Sequence, residues 1–457
     1  MDDPAPYIFK TNDFGKTWTT IITGIPAGVY VHAVREDPKK KGLLYAGTEH
    51  GIFVSFDDGA HWETLQLNLP SAPVNDLIVK GNDLAVATHG RAFWILDDLS
   101  PIRQWQDSLK DTDVHLFTPS AANHTVFPAS FFGGGNAGEN PPGGAVISYY
   151  LKNEIKKPEK KDEKAASSTG TPATAEKPAE QKSAEAKPEE SRIKLEILDE
   201  AGNVIRTYPP KKPAGAEPDE GFGPGREQES LPTKAGVNRF VWDLHYEPAL
   251  KIANSPLWGG STDGPLALPG KYQARLTVDG KSQTQGFEIV PDPRLKVTQE
   301  NLKKQFDLMQ SILGEVTQVH TAIMQMRDVR AQINALNKHM TQEKNPNAKA
   351  LSDAGAALDK KMTTVEEALI QTKAKSGQDV LNYPIRLNNL LVALGGVVSS
   401  ADTVPTKQDY ELFDELKKQA DEELAKWNEI VKTDLVSFNT LAKQHEVPAV
   451  GLVAPET

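Results

Sequence analysis

The chain is 457 residues long, 25% charged and 38% hydrophobic, and its 62 acidic residues outnumber 51 basic ones for a formal net charge of −11. Such a balance lacks the basic field that draws proteins to phosphate, so nucleic acid and anionic membranes are excluded as partners. Cysteine is absent, which removes disulfides, thiolate metal sites and cysteine nucleophiles, and no apolar run is long enough to span a bilayer.

The length suits about three domains, and the first of them, residues 1–105, reads as short strands divided by tight turns. Its opening residues are acidic and do not read as an export leader. A turn motif occurs twice: Thr11, Asp13, Gly15 and Trp18, then Ser55, Asp57, Gly59 and Trp62 at the same offsets. A repeat of this period marks one blade of a β-propeller. Aligning Phe9, Phe53 and Phe93 puts Asp97 where Asp13 and Asp57 stand, with Ile95 replacing the hydroxyl residue and Leu99 the glycine. The count is two strands of one blade, a complete blade and most of a closing one. Since a propeller closes its ring with four or more blades, the segment is expected to be an incomplete propeller, the C-terminal portion of something longer.

Residues 106–292 read as a second β domain. Strands are expected at 145–151, 193–198, 204–207, 239–244, 272–278 and 285–290, the last two joined across Asp279-Gly280, and this spacing suggests an immunoglobulin-like β-sandwich. Within it, residues 154–191 are Lys, Glu, Ala and Pro with Ser and Thr, too poor in apolar groups to offset their ordering entropy, and are expected to be a disordered insert. Residues 133–138 spell a dinucleotide-binding motif, but Pro141 and Pro142 follow where a helix is required, so the match is spurious.

From 293 to 457 the apolar period becomes helical. Phe306, Met309, Leu313, Val316, Ile323, Arg330 and Ile333 mark one stripe, and Phe413, Leu416, Ala420, Leu424, Trp427, Val431, Leu435 and Phe438 another. With shorter helices near 348–373 and 384–399, and Pro405 in the first turn of the last helix, the expectation is a four-element helical bundle. Its stripes pack on one another by default, and self-association through them is a further reading.

The two turn motifs, the stretch Ala87-Thr-His-Gly-Arg-Ala-Phe-Trp-Ile-Leu-Asp-Asp98 and the domain order resemble the Asp-box (bacterial neuraminidase repeat) propellers, in particular the sortilin-like bacterial proteins labelled glycosyl hydrolases. Pro269-Gly270 with the strand 272–278 is similar to the immunoglobulin-like domain of flagellar hook-capping proteins. The resemblance implies a periplasmic or secreted protein whose Asp-boxes lie at the blade periphery, away from the ligand face.

The residues themselves make the boxes structural: the carboxylate and hydroxyl accept turn amide protons, and Trp18 and Trp62 pack on the blade. The candidate ligand site is His89, Arg91, Trp94, Asp97 and Asp98, which combine a base, a guanidinium, an aromatic ring and carboxylates; the competing reading makes Arg91 and Asp97 or Asp98 an ion pair holding the closing blade to the next domain. Glycoside cleavage needs two carboxylates across one bond, and adjacent residues of a strand point to opposite faces. The catalytic residues therefore stay unknown. His50 and His61 lack metal-ligand spacing, Asp199, Asp243 and Asp279 fit no calcium loop, and no metal or cofactor is expected. Phe240 and Trp242, with Tyr246, read as core rather than a glycan platform. Two functions remain open: binding of a glycan or peptide, and glycoside hydrolysis with carboxylates mainly outside this chain.

Overall fold

A computed structural model describes residues 3–125, 140–156, 192–209 and 230–452. Residues 133–138 and all but the first residues of the expected insert 154–191 lie outside them. Sheets occupy the part before residue 291, and five longer helices follow.

The first part is a string of antiparallel ladders. Strands β1 (Phe9–Lys10) and β2 (Thr19–Thr20) pair alone; β3 (Val31–Glu36), β4 (Leu44–Thr48), β5 (Gly51–Ser55) and β6 (Glu63–Thr64) form a four-stranded meander; β7 (Val74–Lys80), β8 (Asp83–Thr88) and β9 (Phe93–Leu96) form a three-stranded one. The ladders repeat in detail. Phe9 lies opposite Thr20 and Phe53 opposite Thr64. A bulge falls after Val31, which pairs with Thr48, and again after Val74, which pairs with Thr88. The Glu49 amide donates to the Tyr30 carbonyl (3.1 Å) and the His89 amide to that of Pro73 (2.8 Å).

One feature of the third ladder departs from the sequence alignment. Thr48 donates its hydroxyl to the Gly51 carbonyl (2.9 Å), and Thr88 donates to that of Ala92 (2.6 Å). Ala92 therefore stands where Gly51 does, and the loop between has gained a residue: Glu49-His50 against His89-Gly90-Arg91. Leu44 pairs with Ser55 and Ala46 with Phe53, while Leu84 pairs with Leu96 and Val86 with Trp94. Trp94, not Phe93, is thus the counterpart of Phe53. A one-residue shift moves every side chain to the other face, which is why identity of the phenylalanines misleads.

Packing between the ladders has a direction. Trp62 on the second faces back to the first: it is 3% exposed, clustered with Ile8, Ile25, Leu44 and Ala46, and its indole N–H donates to the Ile21 carbonyl (2.9 Å). Gly24 takes φ +100° beneath it, where a Cβ would run into the Trp62 carbonyl. Ile52 (5% exposed) and Val54 (3%) face forward onto Leu77, Leu84 and Val86 of the third ladder. At the two ends the same positions are bare: backward-facing Trp18 is 61% exposed, and Phe93 (84%) and Ile95 (62%), counterparts of Ile52 and Val54, are open.

A short helix α1 (Ser100–Gln104) leads to β10 (Val114–Leu116), β11 (Ala122–Asn123), β12 (Ala145–Leu151), β13 (Ile193–Leu198), β14 (Val204–Tyr208), β15 (Gly236–Trp242), β16 (Gly270–Val278) and β17 (Lys281–Val290). These form a three-stranded sheet, β10-β12-β15, and a five-stranded one, β11-β17-β16-β13-β14, whose facing residues make one core containing Ile147, Tyr149, Phe240, Trp242, Leu195 and Leu276. Phe240 and Trp242 share a face and are buried, as core positions should be. Arg103 of α1 pins the ladders from below: its guanidinium grips both oxygens of buried Asp37 (3.1 and 2.9 Å), Asn82 (2.9 Å) and the Gly81 carbonyl (3.1 Å).

The helices are α2 (Gln299–Gln342), α3 (Ala348–Leu369), α4 (Leu387–Val398), α5 (Lys407–Ile430) and α6 (Val436–Gln444), the last two joined through a π-helical turn at Val431–Leu435. Pro405 lies before the helix it was expected to open: Thr406 is the cap, exchanging hydrogen bonds with Asp409, because a capping hydroxyl satisfies an orphan amide and proline cannot. Both apolar stripes enter one shared core. Arg330, on the first stripe, reaches Asp359 (2.5 Å) and buried Glu366 (2.8 Å) on α3. Ala249 and Ile252, from the loop after β15, belong to the same core and dock the sheets on the helices. Among the described residues no helix is long and apolar enough to cross a membrane.

Trp62→Ala is expected to cost about 3–5 kcal/mol in urea unfolding, the usual loss for a buried tryptophan, whereas Trp18→Ala should stay within about 0.5 kcal/mol.

Candidate functional site

The two turn motifs share one hydrogen-bond pattern. Asp13 accepts from the Thr11 hydroxyl (2.9 Å), the Thr17 amide (2.8 Å) and the Thr17 hydroxyl (2.7 Å), and Thr11 accepts from the Gly15 amide (2.8 Å). Asp57 accepts from the Ser55 hydroxyl (2.9 Å) and the His61 amide (2.8 Å), its second oxygen lies 2.7 Å from His61 Nδ1, and Ser55 accepts from the Gly59 amide (2.9 Å). Gly59 takes φ +89°, and a Cβ there would strike Ile21. The Thr17 amide, then its hydroxyl, lowers the Asp13 carboxyl. Burial pushes Asp57 up, but the His61 amide and ring and the Ser55 hydroxyl outweigh it, for a net lowering. With every carboxylate oxygen occupied, these aspartates shape turns.

Strand alternation sorts the loops into two ends. The turns bearing Asp13 and Asp57 lie at one; at the other lie segments 21–30, 49–50, 65–73 and 89–92. This divides the sequence-predicted site. His89 and Arg91 sit exposed in the loop before β9, Trp94 is half-buried along the strand with its indole N–H on the Arg91 carbonyl (2.7 Å), and Asp97 and Asp98 lie beyond the far end. Six residues at the strand rise separate Arg91 from Asp97 by roughly 20 Å. The five residues form no single site.

Among the described residues Arg91 pairs with neither aspartate, so the expected ion pair is absent. Asp98 leaves strand geometry altogether, with φ +64°: it accepts from the Ser100 amide (3.1 Å) and hydroxyl (2.9 Å) and the Ser120 hydroxyl (2.7 Å). It does tie the third ladder to the following sheets, through serines rather than arginine. Burial, and then Asp83, raise the Asp97 carboxyl against the attraction of Arg239 on β15, and Asp98 raises it further.

What the sequence did not single out is the pair on the neighbouring loop. Glu49 lies 3.0 Å from His32 Nε2, and its carboxyl is lowered first by the Tyr30 hydroxyl and then by His32. In these four segments Glu49 is the one carboxylate, beside His50, His89 and Arg91, and the described residues before β1, which lie at the same end, add Asp3. The signal available was weak, since His32 and Glu49 are seventeen positions apart and meet only through the β3–β4 bulge. Such a rim can donate to and accept from a polar ligand and can hold a carboxylate against Arg91. Among the described residues no group of three or more His, Asp or Glu could hold a metal ion.

No family model, curated protein or solved structure matches this chain.

Arg91→Ala is expected to leave unfolding free energy within about 0.5 kcal/mol, and Asp98→Ala to lower it by roughly 2 kcal/mol by orphaning its donors. Asp97 has a folded pKa above its unfolded value, so its charge costs stability as pH rises through that value and costs nothing when the group is protonated in both states. Asp97→Asn should raise the melting temperature near pH 7 and leave it unchanged near pH 3, read by calorimetry across that range.

Proposed function

We propose that this chain is a binding protein: an arc of an Asp-box β-propeller carrying an immunoglobulin-like sandwich and a helical bundle as scaffold, exported, with the loop end around Glu49, His89 and Arg91 as the face that takes a glycan or peptide. The directional packing supports the arc, because each ladder buries a forward face on the next one's backward face and leaves both ends of the series bare. Two sheets around one core at the position of the second domain support the sandwich.

The observation that carries binding over hydrolysis is that both described carboxylates of this loop end are already occupied, Asp3 by the Tyr7 hydroxyl (2.6 Å) and the Ala5 amide (3.0 Å). Acid–base cleavage of a glycosidic bond uses two, and Glu49 is already engaged by Tyr30 and His32. Arg91 and His89 supply donors with no internal ion partner among the described residues, as a site for an acidic or hydroxyl-rich ligand requires. Fold by itself supports neither activity.

Glycoside hydrolysis is the second reading, and the raised carboxyl of Asp97, near Asp83, is the observation on its side. Immobilised glycan and peptide panels test the choice. Arg91→Ala and Glu49→Ala are expected to weaken capture by about tenfold each, with no release of reducing sugar. Turnover of a polysaccharide that Asp97→Asn abolishes would replace binding with hydrolysis.

A further inference from the structure

The third ladder has counterparts of β3, β4 and β5 but none of β6. After Ser55 the chain turns through Asp58 (φ +62°) and Gly59 and returns as β6. After Leu96 the left-handed step falls one position earlier, at Asp98, the counterpart of Asp57; the Leu99 amide still binds the Asn82 carbonyl (2.6 Å) as the Asp58 amide binds that of Gly42 (2.8 Å), and Pro101 then opens α1. The chain leaves without a fourth strand. In the second ladder the Leu65 amide donates to the Ile52 carbonyl (2.8 Å), so Ile52 turns its backbone groups toward β6, and alternate residues do likewise. Their counterparts, Phe93 and Ile95, therefore present N–H and C=O groups along an edge with which no described strand pairs.

Beside this edge lies an open cleft of ≈ 50 Å³, bordered by Ile52, Leu65, Gln66, Leu69, Val86 and Trp94. One repeat earlier the counterparts of these residues are Ile8, Ile21, Ile22, Ile25, Ala46 and Phe53, and all six belong to the cluster that holds Trp62. The hydrogen bonds match too: the Ile25 amide donates to Ile22 (3.0 Å), and the Leu69 amide to Gln66 (2.8 Å). Cleft and edge thus reproduce the seat of Trp62 and the ladder that β6 joins.

We propose that this place takes a β-strand, antiparallel to β9, with the chemistry Trp-x-Thr followed by Leu or Ile. Both repeats put that order there, as Trp18-Thr-Thr-Ile21 and Trp62-Glu-Thr-Leu65. The indole fills the cleft and donates to the Leu65 carbonyl, the threonine stands opposite Trp94 as Thr64 stands opposite Phe53, and the main chain closes an edge that exposed apolar strands otherwise leave open to aggregation. The inference rests on reading the ladders as successive repeats.

A fluorescein-labelled peptide of residues 60–69, titrated against the full chain and followed by anisotropy, tests it. Saturable binding is expected, weakened about tenfold or more by Trp62→Ala in the peptide. Ile95→Pro in the chain, which removes an outward amide and spares the β8 ladder, should weaken it comparably. Phe93→Asp, at a fully open position, provides the same loss should the proline variant fold poorly. Absence of saturable binding, or binding indifferent to all three changes, overturns the proposal. Loss of stability in Trp62→Ala reports on the repeat packing whatever the peptide does, so failure of the strand and failure of the repeat reading are told apart.

Discussion

The indole of Trp62, held between two ladders by burial and by one bond to the Ile21 carbonyl, is the joint on which the N-terminal half depends. A ladder of two to four short strands buries too little alone to offset the entropy of ordering it. Each must therefore lend its forward face to the next. Trp62 is the largest side chain doing so, and its backbone is threaded close enough that Gly24 tolerates no side chain. Because the joint is directional, it also decides which aromatics of the series are covered and which are bare.

Around that joint, short-range and long-range polar contacts divide the labour. The Asp13 and Asp57 turns are closed by partners within four residues, so they form wherever the local sequence is right. The grip of Arg103 on Asp37 spans 66 positions and forms only after the ladders have stacked; Tyr45 joins it through its hydroxyl (3.2 Å). Taking either charge away leaves the other buried and unpaired, a costly state. The helical region shows the same economy, with Glu366 answered by Arg327 (2.7 Å) and Arg330.

Much of this was legible in the chain because its cause is local. The turn motifs announce themselves through Asp, Gly and a hydroxyl at fixed offsets, the helical stripes through their period, and Phe240 with Trp242 through alternation. What was illegible is non-local or a matter of phase. Arg330 falls on the apolar stripe by spacing, yet it is there to meet Asp359 and Glu366. His32 reaches Glu49 only once two strands pair. Residue identity puts the third copy out of phase by one, because Phe93 matches Phe53, while the deciding quantity is which carbonyl Thr88 reaches. The grouping of His89 with Asp98 failed for a related reason: nearness in sequence along an extended strand is distance in space.

The extra residue between Thr88 and Ala92 separates two properties of the loop. Ala92 absorbs it by adopting φ +62°, so the downstream strand keeps its phase against Val86 and Leu84 while the loop acquires a guanidinium. Length at that tip is decoupled from the hydrophobic seam beneath it. A change of residue at the tip therefore alters the exposed surface there without disturbing the packing of Leu84 and Val86.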